Sequence, residues 1–401
     1  MKGDVCLKKK WLMYVGAGIG MGILCLFTLT GKERPTLPVQ SPQHVTLISD
    51  VDVAKTPSET VKRPLIEQLR IELSHFNEPM PDMTEWLQTR VSAYDSKNEL
   101  LSVIQTDLDQ DGVANEWVTV LVEDILDEQT GLVQERKSYG VIIDFDEDNQ
   151  YTLQYLHFSS ANNGRTKVMT IDDLTGDSKP EVVWVSINSG AHTTFSEYTV
   201  SSWVGRKLET YVGAAVIASE SKAEIRDRKL QLSGGLIGSV GAGPWQQEFT
   251  ETYEVVENTL KRTERVYVQS PTPYHRLING MWAESHGYRD QALRDYSEAI
   301  NMQAASYQDY AFIFEGEWVQ GGMNSDKEAE FDRTIKRFSM LRKELLTEVN
   351  RGVDQHNACV SAKKKAGFDK AWLTYLNAPA GYANPHWEEG TICSDIALLE
   401  Q

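Results

Sequence analysis

Residues 107–120 read DLDQDGVANEWVTV, and residues 173–185 read DLTGDSKPEVVWV. Each stretch sets acidic or hydroxyl side chains at every second position, turns sharply, and enters a run rich in β-branched residues. Alternate side chains of a tight loop converge on one side, where their oxygens can surround a hard cation such as Ca2+. In the first loop the ligands are expected from Asp107, Asp109, Asp111, the Val113 carbonyl, and then Asn115 or Glu116. In the second they are expected from Asp173, Thr175, Asp177, the Lys179 carbonyl and Glu181. Gly112 holds the turn position of the first loop, where positive φ is favoured, and Ser178 stands there in the second. An EF-hand needs a bidentate Glu at position 12, but Val118 and Trp184 occupy those places. The alternative to a metal site is a pair of solvated acidic turns. In either case both loops open strands, and that decides how the surrounding chain is read.

From about residue 100 to residue 269 the pattern is one of short runs rich in Val, Ile, Thr and Tyr. WVTVLVE, YGVIIDF, YTLQYLHF, KVMTI, EVVWVSI, FSEYTVSSW, KLQLS, FTETYEVVE and KRTERVYV are all expected strands. Several alternate strictly, which is the mark of a half-buried antiparallel strand. The acidic run Asp144, Asp146, Asp148 and Asn149 lies between two of them and reads as a hairpin turn. SGGLIGSVGAGP (residues 233–244) has the glycine content of a phosphate loop. It lacks Gly-Lys-Ser/Thr and opens no helix, so it reads as a hairpin loop. His192, in NSGAHTTF (residues 188–195), reads as a hydrogen-bonded turn residue.

An acidic loop running straight into a strand resembles the FG-GAP, or VCBS, repeats of integrin-type β-propellers. In those repeats a D-L-x-G-D-G-x-x-E-V-V loop opens a blade and holds calcium. The second loop keeps DLTGD and KPEVV, and the first keeps DLDQDG and EWV; their starts are about one blade of that family apart. The resemblance implies a partial propeller or a related β-sheet unit, with Ca2+ as its ion.

Residues 11–30 read WLMYVGAGIGMGILCLFTLT without a charge, close to the ~20 residues that cross a bilayer as a helix. Lys8, Lys9 and Lys10 stand just before it, so the positive-inside rule leaves residues 1–10 in the cytoplasm and exports the rest. No A-x-A-like cleavage site follows, which favours an uncleaved signal anchor over a signal peptide. Residues 31–63, rich in Pro, Ser and Thr, read as an extended spacer. A β-rich domain is then expected over 64–270, opening with one or two short helices, and a helical domain over 271–401.

In the helical domain the run of residues 325–349 has an N-cap at Ser325 and one apolar face formed by Phe331, Ile335, Phe338, Leu341 and Leu345. A further helix is expected over residues 368–376. GMWAESHGYRDQALRDYSEAI (residues 280–300) resembles a tetratricopeptide repeat through Gly280, Gly287, Ala292, Tyr296 and Ala299. That resemblance implies one helical hairpin, with a peptide or protein as the partner of its concave face. The fold class expected is therefore α+β and multidomain: an N-terminal transmembrane helix, an antiparallel β-rich domain and a C-terminal all-α domain.

With Cys6 in the cytoplasmic tail and Cys25 in the anchor, only Cys359 and Cys393 fall in the exported part; they form either one disulfide or two buried thiols, and an oxidising compartment favours the bond. A net charge of −18 argues against nucleic acid as a partner, because phosphate binding needs a basic face. The sequence has no H-E-x-x-H, C-x-x-C or G-x-S-x-G. The expectation is a membrane-anchored extracytoplasmic interaction or envelope protein and not an enzyme. An exported hydrolase of glycans or peptides, with its acids in a β-sheet cleft, is the alternative.

Overall fold

The computed structural model describes residues 64–394, apart from 96, 127–129, 131–132, 160–164, 191–192 and 304. The proposed anchor, its cytoplasmic tail and its spacer lie outside these residues, as does His192. No helix among the described residues is long and apolar enough to cross a membrane.

Four strands, β1 (Glu99–Thr106), β2 (Glu116–Leu126), β3 (Val133–Phe145) and β4 (Tyr151–Ser159), form an antiparallel sheet in the order of the chain. The apolar run of β2 serves two faces because successive side chains of a strand point opposite ways. Trp117 and Leu121 face helices α1 (Leu65–Leu73) and α2 (Met83–Tyr94), which bury Leu65, Leu69, Leu87 and Val91 on that side. Val118, Val120 and Val122 face the next sheet.

That second sheet runs β5 (Arg165–Asp172), β6 (Glu181–Ser189), β7 (Thr194–Val204), β8 (Lys207–Thr210), with β9 (Ala215–Ala218) also on β7. Strand β6 repeats the two-faced pattern: Val182 and Trp184 meet the first sheet, and Val183 and Val185 meet the third. Trp184 is fully buried and donates to Ser201 Oγ at 2.8 Å, so its one polar atom is satisfied. It rests against Gly140 of β3, where an added Cβ would come within 2.8 Å of the indole. A glycine at that place in β3 lets the two sheets close on the ring.

The third sheet is β10 (Lys222–Arg226), β11 (Lys229–Gly234), β12 (Phe249–Val256) and β13 (Thr259–Tyr267). Leu230, Leu232, Tyr253 and Leu260 cover the face offered by Val183, Val185, Tyr198 and Val200. Three antiparallel meanders are thus stacked face to face. The glycine-rich stretch joins β11 to β12 through a single 3-10 turn, Val240–Ala242.

The C-terminal part holds α3 (Pro273–Ser285), α4 (Arg289–Asn301), α5 (Ser325–Asn350), α6 (Gln355–Ala366) and α7 (Trp372–Leu376). It is not all-α, as the sequence reading had it. Between α4 and α5 lies a hairpin, β14 (Ala311–Phe314) and β15 (Glu317–Gln320). Its turn residues Glu315 and Gly316 both have positive φ, 56° and 83°, as a tight two-residue hairpin requires. Phe312 and Phe314 alternate with the more exposed Ile313 and anchor the hairpin in the helical core. Helix α5 is capped by Asn324, whose side chain accepts from the Lys327 amide, one residue before the expected cap. Its apolar face, Phe331 through Leu345, is buried throughout. The last helix starts at Trp372, and α6 precedes it. Cys359 of α6 is bonded to Cys393, with Cα atoms 5.8 Å apart, which ties the end of the described chain to the helices.

Candidate metal centre

The two acidic loops occupy equivalent places. The first joins β1 to β2, with Thr106 opposite Glu116 in the ladder; the second joins β5 to β6, with Asp172 opposite Glu181. Glu116 and Glu181 are each the first residue of their strand, and each turns its carboxylate back over its loop. Glu116 Oε2 accepts from the Leu108 amide at 3.0 Å, and Glu181 Oε2 accepts from the Leu174 amide at 2.7 Å. The first loop is one residue longer, so Glu116, not Asn115, is the counterpart of Glu181.

Within the first loop the backbone is wound by its own carboxylates. Asp107 Oδ2 accepts from Gly112, Asp109 Oδ1 from Asp111, and Asp111 Oδ1 from Val113. One oxygen from each of Asp107, Asp109 and Glu116 lies within 4.8 Å of the other two. Two oxygens held about 2.4 Å from one calcium stand at most about 4.8 Å apart, so the three carboxylates suit that ion.

The other expected ligands make hydrogen bonds of their own. Asp111 is exposed, and one of its oxygens is committed to Val113. The Val113 carbonyl accepts from the Asn115 amide. The Asn115 side chain donates to the Phe145 carbonyl at 2.7 Å, toward the β3–β4 turn.

The unmet atoms are all acceptors. Asp107 Oδ1, Asn115 Oδ1 and Glu116 Oε1 are buried without a hydrogen-bond partner among the described residues. The Glu116 side chain is fully buried. Burial pushes its carboxyl up to about 7; the charges of Asp109, Asp144 and Asp107 add to this, and the Leu108 amide opposes it. A buried carboxylate with a bare oxygen among other carboxylates calls for a cation or a proton.

The second loop meets its own needs. Asp173 accepts from the Gly176 amide at 2.5 Å and the Ser178 amide at 3.2 Å, and Asp177 accepts from Lys179 at 2.8 Å. Glu181 Oε1 accepts from Tyr211 Oη at 3.1 Å and Thr175 Oγ1 at 3.3 Å, so both its oxygens are used. The Arg228 guanidinium, from the β10–β11 turn, lies against Gly176 and brings a positive charge to this loop. No buried side-chain oxygen of the second loop lacks a partner among the described residues.

Two arginines that the sequence did not single out shape these surroundings. Arg206, in the β7–β8 turn, donates to Asp144 at 2.6 Å and to Thr152 Oγ1 at 2.6 Å, and pairs with Asp146. It locks the β3–β4 hairpin beside the first loop, since Asp144 sits opposite Glu116 in the ladder. Arg206 and Arg228 both hold positive φ in turns, 65° and 63°. The only trace in the sequence is a basic residue at a strand-to-strand turn, which is too common to be read as a signal.

No family model, curated protein or solved structure matches this chain.

Proposed function

We propose that this chain is a membrane-anchored, extracytoplasmic binding protein whose β unit is stiffened by one calcium ion in its first acidic loop. The observation that carries the reading is the fully buried Glu116 carboxylate, with one oxygen unpartnered beside Asp107 and Asp109. Asp107, Asp109 and Glu116 would hold the ion and cross-link the loop to the start of β2. The calcium would supply structural charge neutralisation there. The second loop, satisfied by Tyr211, Thr175 and its own amides, is proposed as a hydrogen-bonded relic of the same motif.

Two further features support export. The Cys359–Cys393 bond suits an oxidising compartment, and extracellular sites bind calcium at about 10⁻⁴–10⁻³ M, where the ion is plentiful. The uncharged residues 11–30 behind three lysines supply the anchor. Three successive antiparallel sheets of four, five and four strands, two with an acidic loop between their first and second strands, support a partial-propeller relationship for the β unit.

Thermal unfolding of the purified full chain tests the reading. Millimolar calcium, at about ten times a Kd of about 10⁻⁴ M, adds about 1.4 kcal/mol and raises Tm by about 2 °C over EDTA. An unchanged Tm, or an equal rise with magnesium, counts against a calcium site.

A further inference from the structure

A cavity of about 610 Å³ opens where the third sheet meets α3 and the loop around residues 382–386. That volume lies in the range of small-molecule sites. Its walls are aromatic: Trp245, Phe249, Tyr253, Tyr274 and Trp282 all line it and are each at least nine-tenths buried. Arg262 and Arg265 line it, and among the described residues no Asp or Glu does, in a chain whose net charge is −18.

The two guanidiniums are fixed in place. Beneath them lies Glu251, fully buried, whose Oε1 accepts from Arg262 Nη1 at 2.6 Å and from Arg265 Nη2 at 2.6 Å. Its Oε2 accepts from Tyr253 Oη at 2.7 Å. Arg265 is also sandwiched, 3.8 Å from the Phe249 ring centre and 4.0 Å from that of Trp282. One carboxylate shared by two guanidiniums leaves a surplus of one positive charge. Arg262 Nε is moreover a buried donor without a hydrogen-bond partner among the described residues. A rigid cationic edge facing an aromatic chamber is suited to an anion on a flat apolar body.

We infer that this cavity is a binding site for a small organic anion with an aromatic body, its carboxylate or sulfonate paired with Arg262 and its ring packed on Trp282 and Trp245. The inference is independent of the calcium loop, which belongs to another sheet. Glu251 and Arg265 are positioning residues: the first orients both guanidiniums, and the second completes the aromatic wall.

The test is calorimetric titration of the full chain with 1-naphthalenesulfonate and with its uncharged analogue 1-naphthalenesulfonamide. The sulfonate is expected to bind one site per chain, and more tightly than the sulfonamide. Arg262→Gln keeps Arg265 on Glu251; it is expected to weaken the sulfonate at least about tenfold and to leave the sulfonamide nearly unchanged. Val216→Trp, at a half-exposed lining position, fills the opening and is expected to weaken both probes. Thermal unfolding verifies that each variant is folded. The proposal is overturned if the sulfonate shows no saturable site, if Arg262→Gln affects both probes equally or neither, or if Val216→Trp leaves both unaffected.

Discussion

Glu116 and Glu181 begin equivalent strands and make the same return bond to a loop amide, yet among the described residues only Glu181 has further partners, the Tyr211 hydroxyl at 3.1 Å and the Thr175 hydroxyl at 3.3 Å. The spare oxygen of Glu116 is the difference on which the proposed calcium site rests. Glutamine at position 116 keeps the acceptor for the Leu108 amide and removes the buried charge. Glu116→Gln is therefore expected to unfold in EDTA at the wild-type temperature or slightly above it, and to lose the calcium-induced rise in Tm. Paired melting curves with and without calcium check both halves.

Ser178 takes the turn position of the second loop at φ 72°, where a side chain is strained. Glycine there relieves about 1 kcal/mol. Ser178→Gly is expected to raise the denaturation midpoint in EDTA, and by the same amount in calcium. A gain seen only with calcium would mean that the second loop also holds an ion.

In the helical hairpin, Gly280 and Tyr296 are in direct apposition: a Cβ on Gly280 would lie 2.6 Å from the tyrosine ring. The ring has no room to retreat, because Tyr296 is fully buried and its hydroxyl donates to Glu284 at 2.5 Å. Alanine in a helix interior is normally favoured over glycine by about 1 kcal/mol. Here overpacking reverses the sign, and Gly280→Ala is expected to destabilise by about 1–2 kcal/mol. Urea unfolding of the two chains gives the comparison.

Much of this architecture was legible because its elements carry strong local periodicity. The buried face of α5 could be read from its spacing, and β6 could be read as a strand from its β-branched run. The loops could be located, but which one could use an ion could not, because that depends on Tyr211 and Arg228, brought in from connections later in the chain. The β14–β15 hairpin was missed although AFIFEGEWVQ carries its turn; a short alternating run between helices offers too few residues to outweigh the helical context. The Glu251, Arg262 and Arg265 cluster was hidden for another reason. It depends on the β12–β13 register, which shifts between Thr252 and Tyr253.

Asp295 of α4 supplies a pH-dependent term. Burial raises its carboxyl to about 6, against the partial relief of Arg276 at 3.3 Å, and its Oδ2 has no partner. The folded chain thus holds this proton more tightly than the unfolded one. The associated stability is complete below about pH 4 and is lost as pH rises through about 6. His275 acts oppositely: burial lowers its pKa to about 4, so its contribution is lost as pH falls from about 6.5. The difference between wild type and Asp295→Asn isolates the first term. The variant is expected to be more stable by about 1–3 kcal/mol at pH 7.5, with the gap closing toward pH 4. Denaturant midpoints at both pH values measure it.

The most direct measurement is the number of calcium ions bound per chain, by isothermal titration of the full-length protein and two variants. The proposed site predicts one ion for the wild type, none for Glu116→Gln, and one for Asp173→Asn. No binding to the wild type, two ions per chain, or a single site lost with Asp173 and kept without Glu116 would contradict the assignment.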